Sequence, residues 1–246
     1  MATLQEETGK RDEAARQHSS DYILGADTPF AVSEAYKALR TNVIFSLPGD
    51  GAKVIGITSS SRGEGKSTVL LNLAVSFGQV GKRVLLMDCD LRLPTVAAKL
   101  GIQGMPGLSD LLVGKQCPVR HMTDLGICVL PSGTLPPDAT ALLSSAGMDG
   151  LLKEAREQFD YIFLDLPPVT TVADAAILAK KVDGFLLAIR HRSSGYRAIS
   201  EMLEQLALAD ANILGYIYTN APVGGGNYKR YGYGYREHDS DNHSEN

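Results

Sequence analysis

The stretch Ser59-Ser60-Ser61-Arg62-Gly63-Glu64-Gly65-Lys66-Ser67-Thr68 limits the fold of this chain more than any other, because of what flanks it. An apolar run, Val54-Ile55-Gly56-Ile57, precedes it and an amphipathic run from Thr68 to Val80 follows. Strand, glycine-rich loop, then helix is the order in which Gly-Lys-Ser becomes a phosphate-binding loop. Gly63 and Gly65 permit a tight turn and let amide N–H groups approach an anion without a Cβ in the way. The helix N-terminus is electropositive, Lys66 has the reach for terminal phosphates, and the Ser67 hydroxyl can ligate Mg²⁺. The expected nucleotide-holding set is therefore Gly63, Glu64, Gly65, Lys66, Ser67 and Thr68, with ATP and Mg²⁺ as its occupants.

The loop departs from the common form G-x-x-x-x-G-K-[ST] at its first glycine, which is Ser60 here. The related pattern K-G-G-x-G-K-[ST] of partitioning and division-site ATPases would require lysine at Ser61. The loop reads as nucleotide-binding but matches neither version.

Two further runs end in acids. Arg83-Val84-Leu85-Leu86-Met87-Asp88-Cys89-Asp90-Leu91-Arg92 reads as a buried strand. If it continues past Asp88, alternation puts Asp88 and Asp90 on one side, beyond its carboxyl end. Tyr161-Ile162-Phe163-Leu164-Asp165, followed by Pro167 and Pro168, has the Walker B pattern of an apolar strand ending in a metal-holding acid. Open parallel sheets bind ligands at such strand ends, so Ser67, Asp88 and Asp165 are expected around Mg²⁺. Phe185–Ile189 and Ile213–Tyr218 read as two more buried strands, separated by a helix from Ala198 to Ala207, and Leu130 ends a strand running into a Pro-rich loop. Alternating helices and continuously apolar strands predict an α/β, doubly wound, mostly parallel sheet with helices on both faces, like P-loop NTPases. Asn220, just past the last strand, carries an amide suited to an adenine edge.

A helix is expected from Ser33 as its cap, with Ala35, Leu39 and Val43 as its apolar stripe. Glu34, Lys37 and Arg40, three residues apart, fall on a separate polar arc. The 246 residues divide into a flexible polar segment over 1–27, one P-loop domain over 28–222, and a flexible tyrosine-rich tail over 223–246. A net charge of -4 gives no pull toward nucleic acid or anionic membrane. No apolar run approaches the ~20 residues of a membrane span and no signal peptide is visible, so a cytoplasmic site is expected. Cys89, Cys117 and Cys128 lack metal-ligand spacing and read as reduced, buried small side chains.

The tail carries the second large clue. After Gly224-Gly225-Gly226, four of the ten tyrosines fall close together, Tyr228, Tyr231, Tyr233 and Tyr235, among Lys229, Arg230 and Arg236. Phenols on a glycine-spaced tether beside an ATP site suggest phosphoryl acceptors.

These stretches, in this order, resemble the bacterial tyrosine kinases that govern capsule and exopolysaccharide polymerisation and export, from about Ser33 to Tyr235. The resemblance implies ATP-dependent protein-tyrosine kinase activity, with Lys66, Asp88 and Asp90 catalytic and Asp88 accepting the phenol proton. It implies phosphorylation of the four tail tyrosines between subunits of a ring-like homo-oligomer, in which Glu34, Lys37 and Arg40 form the contact. It also implies other protein-tyrosine substrates and the split Gram-positive form, recruited to the inner face of the plasma membrane by a transmembrane activator of the polysaccharide co-polymerase type. Lys37 stands where that family usually has arginine, and Arg62 where it commonly has proline. The alternative reading is a partitioning-type ATPase that uses hydrolysis as a dimer switch.

Overall fold

The computed structural model describes residues 23–221, so the four tail tyrosines and most of the segment over 1–27 lie outside the described residues. The core begins earlier than expected: Leu24 is buried, and its N–H donates to Asn72 Oδ1 at 2.7 Å.

The elements are α1 (Phe30–Ser46), β1 (Lys53–Ser59), α2 (Lys66–Gly78), β2 (Val84–Asp88), α3 (Val96–Leu100), α4 (Leu108–Leu112), β3 (Arg120–Met122) and β4 (Ile127–Leu130). They continue with α5 (Ala139–Ser144), α6 (Ala146–Gln158), β5 (Tyr161–Asp165), α7 (Asp174–Leu178), β6 (Gly184–Arg190), α8 (Tyr196–Leu208) and β7 (Ile213–Thr219). The strands form one sheet in the order β3-β4-β2-β5-β1-β6-β7. Neighbours pair in parallel except β3, which runs antiparallel to β4 at one edge. The expected doubly wound, mostly parallel sheet is what forms.

Strand period sorts side chains between two cores, one on each face of the sheet. On one face Ile55, Ile57, Leu86 and Phe163 meet α2 and the inner side of α1. Phe77 of α2 lies 4.1 Å from the Tyr161 ring and 5.5 Å from Phe163, centroid to centroid. On the other face Leu85, Met87, Ile162, Leu164 and Phe185 pack against Leu143, Leu152, Leu178, Met202 and Leu206 of α5 to α8. Gly56 is required there, because a Cβ at that position would lie 2.8 Å from the Phe185 ring.

Several local expectations are corrected. Pro29 rather than Ser33 opens α1: its carbonyl accepts from the N–H groups of Val32 and Ser33, and it has no N–H of its own to satisfy. The stripe on α1 is Tyr36, Leu39 and Val43, while Ala35 is exposed. The helix after the loop is not amphipathic. From Val69 to Phe77 every residue is buried, because α2 runs between the sheet and α1. The first acidic strand stops at Asp88, so Asp90 sits in the following loop instead of on the strand. Of the three free cysteines only Cys89 is buried; Cys117 and Cys128 are partly exposed.

Candidate nucleotide site

Three adjacent strands, β2, β5 and β1, end side by side, and their carboxyl ends build the site. Parity does the rest. Asp88 shares a face with Leu86 and Asp165 with Phe163, so both acids lie on the side covered by α2, whose first residues are Lys66 and Ser67. The strands pair with Asp88 opposite Asp165.

The loop between β1 and α2 turns with φ of 76° at Gly63 and 86° at Gly65. Side chains rarely adopt those values without strain, and at Gly65 the left-handed geometry sets up the first turn of α2. Arg62, Gly63, Gly65, Lys66, Ser67, Thr68, Asp90, Leu93, Thr95, Lys99 and Pro168 enclose a cleft of about 350 Å³, of a size for a small ligand. Arg62, Lys66 and Lys99 are its cations and Asp90 its acid, a balance suited to a polyanion.

Behind that wall sit the two buried carboxylates. Both oxygens of Asp88 are engaged by backbone: Oδ1 accepts from Asp90 N–H at 3.3 Å, and Oδ2 from Thr95 and Val96 N–H at 3.2 and 3.1 Å. Burial, then the Asp165 charge, pushes the Asp88 carboxyl well above the usual carboxylate range. Asp165 accepts a hydrogen bond from the Ser67 side chain, and burial raises its carboxyl to about 6 against that bond and the Lys66 charge. Its Oδ1 has no hydrogen-bond partner, the one such buried side-chain atom among the described residues. An orphaned carboxylate oxygen beside a Ser hydroxyl and a lysine is what a cation site looks like before the cation arrives. Among the described residues no cluster of three or more His, Cys, Asp or Glu could hold a metal alone.

The structure brings Gly63, Gly65, Lys66, Ser67, Thr68 and Asp90 to the cleft, and Asp88 and Asp165 directly behind it. Glu64 does not face it: its carboxylate turns back into the loop, buried. Asn220 is exposed, with φ of 52°, and is not part of the cleft wall. On α1, Lys37 pairs with Glu34 at 2.7 Å on the surface, but Arg40 donates to the Ser76 carbonyl of α2. The expected three-residue arc is thus split between a surface pair and an internal tie. Lys99, Thr95 and Leu93 were missed from the sequence; their only sequence signal was proximity to the double-Asp strand end.

A glycine loop at the end of β1 and paired acids on the neighbouring strands define a P-loop NTPase. A family model described as the NUBPL iron-transfer P-loop NTPase matches residues 51–191. Longer similarity lies with kinases. The chain is 38% identical over 204 residues to tyrosine-protein kinase YwqD of Bacillus subtilis, covering 82% of this chain and 85% of that one. It is 36% identical over 216 residues to tyrosine-protein kinase CpsD of Streptococcus agalactiae, covering 83% and 90%. The kinase domain of Escherichia coli tyrosine kinase ETK superposes with a TM-score of 0.72 at 30% identity, covering 82% of this chain and 80% of that one. The chain belongs to the bacterial tyrosine-protein kinases.

Proposed function

We propose that this kinase transfers the γ-phosphoryl group of ATP to tyrosine hydroxyls, including its own Tyr228, Tyr231, Tyr233 and Tyr235, and thereby regulates capsule or exopolysaccharide synthesis and export. The observation that carries the reading is the cleft in which Lys66, Ser67, loop glycines and Asp90 meet. Catalysis there is positioning and charge neutralisation. Loop amides, Lys66 and the cations Arg62 and Lys99 would hold the phosphates. Ser67 and Asp165 are the groups that would hold Mg²⁺, which supplies charge neutralisation at the phosphate oxygens when bound.

A phenol with a pKa of about 10 needs a neighbouring base to take its proton. Asp88 is the base expected from the sequence. Asp88 is fully buried with both oxygens on backbone amides, so Asp90, which lines the cleft, is the better placed base. Asp88 then orders the loop that carries Asp90.

The last strand ends close to the site. The Thr219 hydroxyl donates to the Glu64 carbonyl at 2.8 Å, so β7 ends against the phosphate loop. Tyr228 follows Thr219 by nine residues, a reach of at most about 30 Å. Transfer between subunits requires self-association. The outward side of α1 supports it: Phe30 and Phe45, 79% and 76% exposed, bracket the Glu34–Lys37 pair. Arg40 is engaged inside the subunit on the Ser76 carbonyl, so the proposed contact is drawn on Phe30, Phe45 and the Glu34–Lys37 pair. No helix among the described residues is long and apolar enough to cross a membrane, and recruitment by a transmembrane activator completes the reading.

The test is to incubate purified protein with labelled ATP and the activator's cytoplasmic segment. Label should appear on tyrosine and vanish in Lys66→Met and in a truncation after Gly226. Free phosphate with an unlabelled tail would instead support the partitioning-type ATPase.

A further inference from the structure

The phosphate loop lacks its usual first glycine, and Glu64 turns away from the cleft. These two oddities meet. The Glu64 carboxylate is buried and accepts four hydrogen bonds, all from within or behind the loop. Oε2 takes the N–H groups of Ser60 and Ser61 at 2.9 and 3.2 Å. Oε1 takes the Ser60 hydroxyl at 3.0 Å and the Ser194 hydroxyl. Two successive amides thus close around an internal anion, as amide nests do around phosphate. Ser60, standing where glycine is usual, uses its hydroxyl as one of the four donors.

The loop's carbonyls are held from the same side. Arg190 Nη1, at the end of β6, donates to Gly63 O at 3.0 Å, and the Thr219 hydroxyl to Glu64 O. A trans peptide sets each C=O opposite the next N–H. Drawing the carbonyls of 63 and 64 toward β6 and β7 therefore turns the amides of Glu64 and Gly65 the other way, away from those strands.

We infer that Glu64, seated on Ser60, Ser61 and Ser194, is a positioning residue that presets the phosphate loop and so governs nucleotide affinity, taking over the role that the missing glycine plays in the common loop. The inference rests on the cleft being the nucleotide site. Glutamine is the telling replacement. Its carbonyl can accept from the two amides, and its NH₂ can donate to the two hydroxyls, which accept as readily as they donate. Charge is thus separable from shape, and shape is what the geometry makes important. Removing a negative charge next to the phosphates also favours binding by the nucleotide.

Binding of a fluorescent ADP analogue and steady-state kinetics with ATP would be measured on full-length protein with Mg²⁺. For Glu64→Ala the expected result is a rise of about tenfold or more in Kd and KM with kcat within about threefold of the parent. Glu64→Gln should return Kd to the parent value or below it. Ser194→Ala, on a surface loop that leaves the fold intact, should weaken binding about threefold. Parent protein that binds no nucleotide would sink the reading of the cleft itself. Parent binding with Glu64→Ala or Ser194→Ala unaltered, a loss confined to kcat, or a glutamine variant as weak as alanine would overturn the positioning role. Should Glu64→Ala prove too unstable to assay, the Gln and Ser194 variants still decide the matter.

Discussion

Asp165→Asn separates the cost of the site to the fold from its value to the reaction. Asp165 is 1% exposed with one oxygen unpartnered, and its carboxyl is raised to about 6 from 3.8. A raised folded-state pKa means that the native protein holds this proton more tightly than the unfolded chain. The group is therefore neutral toward stability below about pH 3.8, becomes unfavourable as pH rises toward 6, and stays so above it. At ~1.4 kcal/mol per pH unit the gap between the two values comes to about 3 kcal/mol at pH 8, falling to about 1.6 at pH 5 and 0.5 at pH 4. A buried asparagine amide with incomplete hydrogen bonding returns about 1 kcal/mol of that. Without nucleotide or metal, Asp165→Asn should thus be more stable than the parent by about 2 kcal/mol at pH 8, which is about 4–8 °C in Tm for a chain of this length. The advantage should shrink to about 0.5 kcal/mol at pH 5 and reverse by pH 4. Thermal unfolding of both proteins in chelator across this range is the assay, with tyrosine phosphorylation expected to be lost throughout. A variant less stable than the parent at pH 8, or a gap that ignores pH, would refute the reasoning.

Arg92 grips buried Asp174 through Nε at 3.0 Å and also reaches the Thr140 hydroxyl at 2.9 Å. Arg92→Ala strands that carboxylate with the Thr140 hydroxyl alone, and urea unfolding should show a loss of about 2 kcal/mol, below the full cost of breaking a buried pair because Arg92 is half-exposed. A Cβ on Gly107 would lie 2.2 Å from both Gly133 N and Pro131 O, so Gly107→Ala should cost about 3 kcal/mol or more, or fail to fold. Gly150, inside α6 with nothing within 4 Å, is the counterpart: Gly150→Ala should gain about 0.5–1 kcal/mol in the same assay. Phe45→Ser should lower the oligomer fraction in light scattering if the outward side of α1 is the subunit contact.

The parts of the fold carried by local pattern were legible. Lys66 and Ser67 stand where strand, glycines and helix placed them, and the Walker B strand ends at Asp165 as expected. What could not be read depends on contacts far apart in the chain. Ser194 lies 130 residues from Glu64, and Arg92 lies 82 from Asp174. Nothing in local periodicity announces such pairs. The stripe on α1 was misread because alanine suits either side of a helix, and only packing against α2 chose Tyr36 over Ala35. β3 was missed for a related reason: three edge residues, each partly or fully exposed, carry no alternation to detect. Asp90 left the strand because the Asp88 carboxylate captures its amide, a side-chain bond that competes with the ladder.

The pairing of Asp88 with Asp165 across β2 and β5 has a consequence for quality control in the cell. Side chains on a strand alternate between faces, so a sheet zipped one residue out of step would send one acid to the opposite layer and break up the site. Such a misassembled molecule would be an inert polypeptide, not a miswired enzyme. Phosphotyrosine output thus doubles as a report on correct strand alignment, and errors in folding stay silent instead of becoming stray signals.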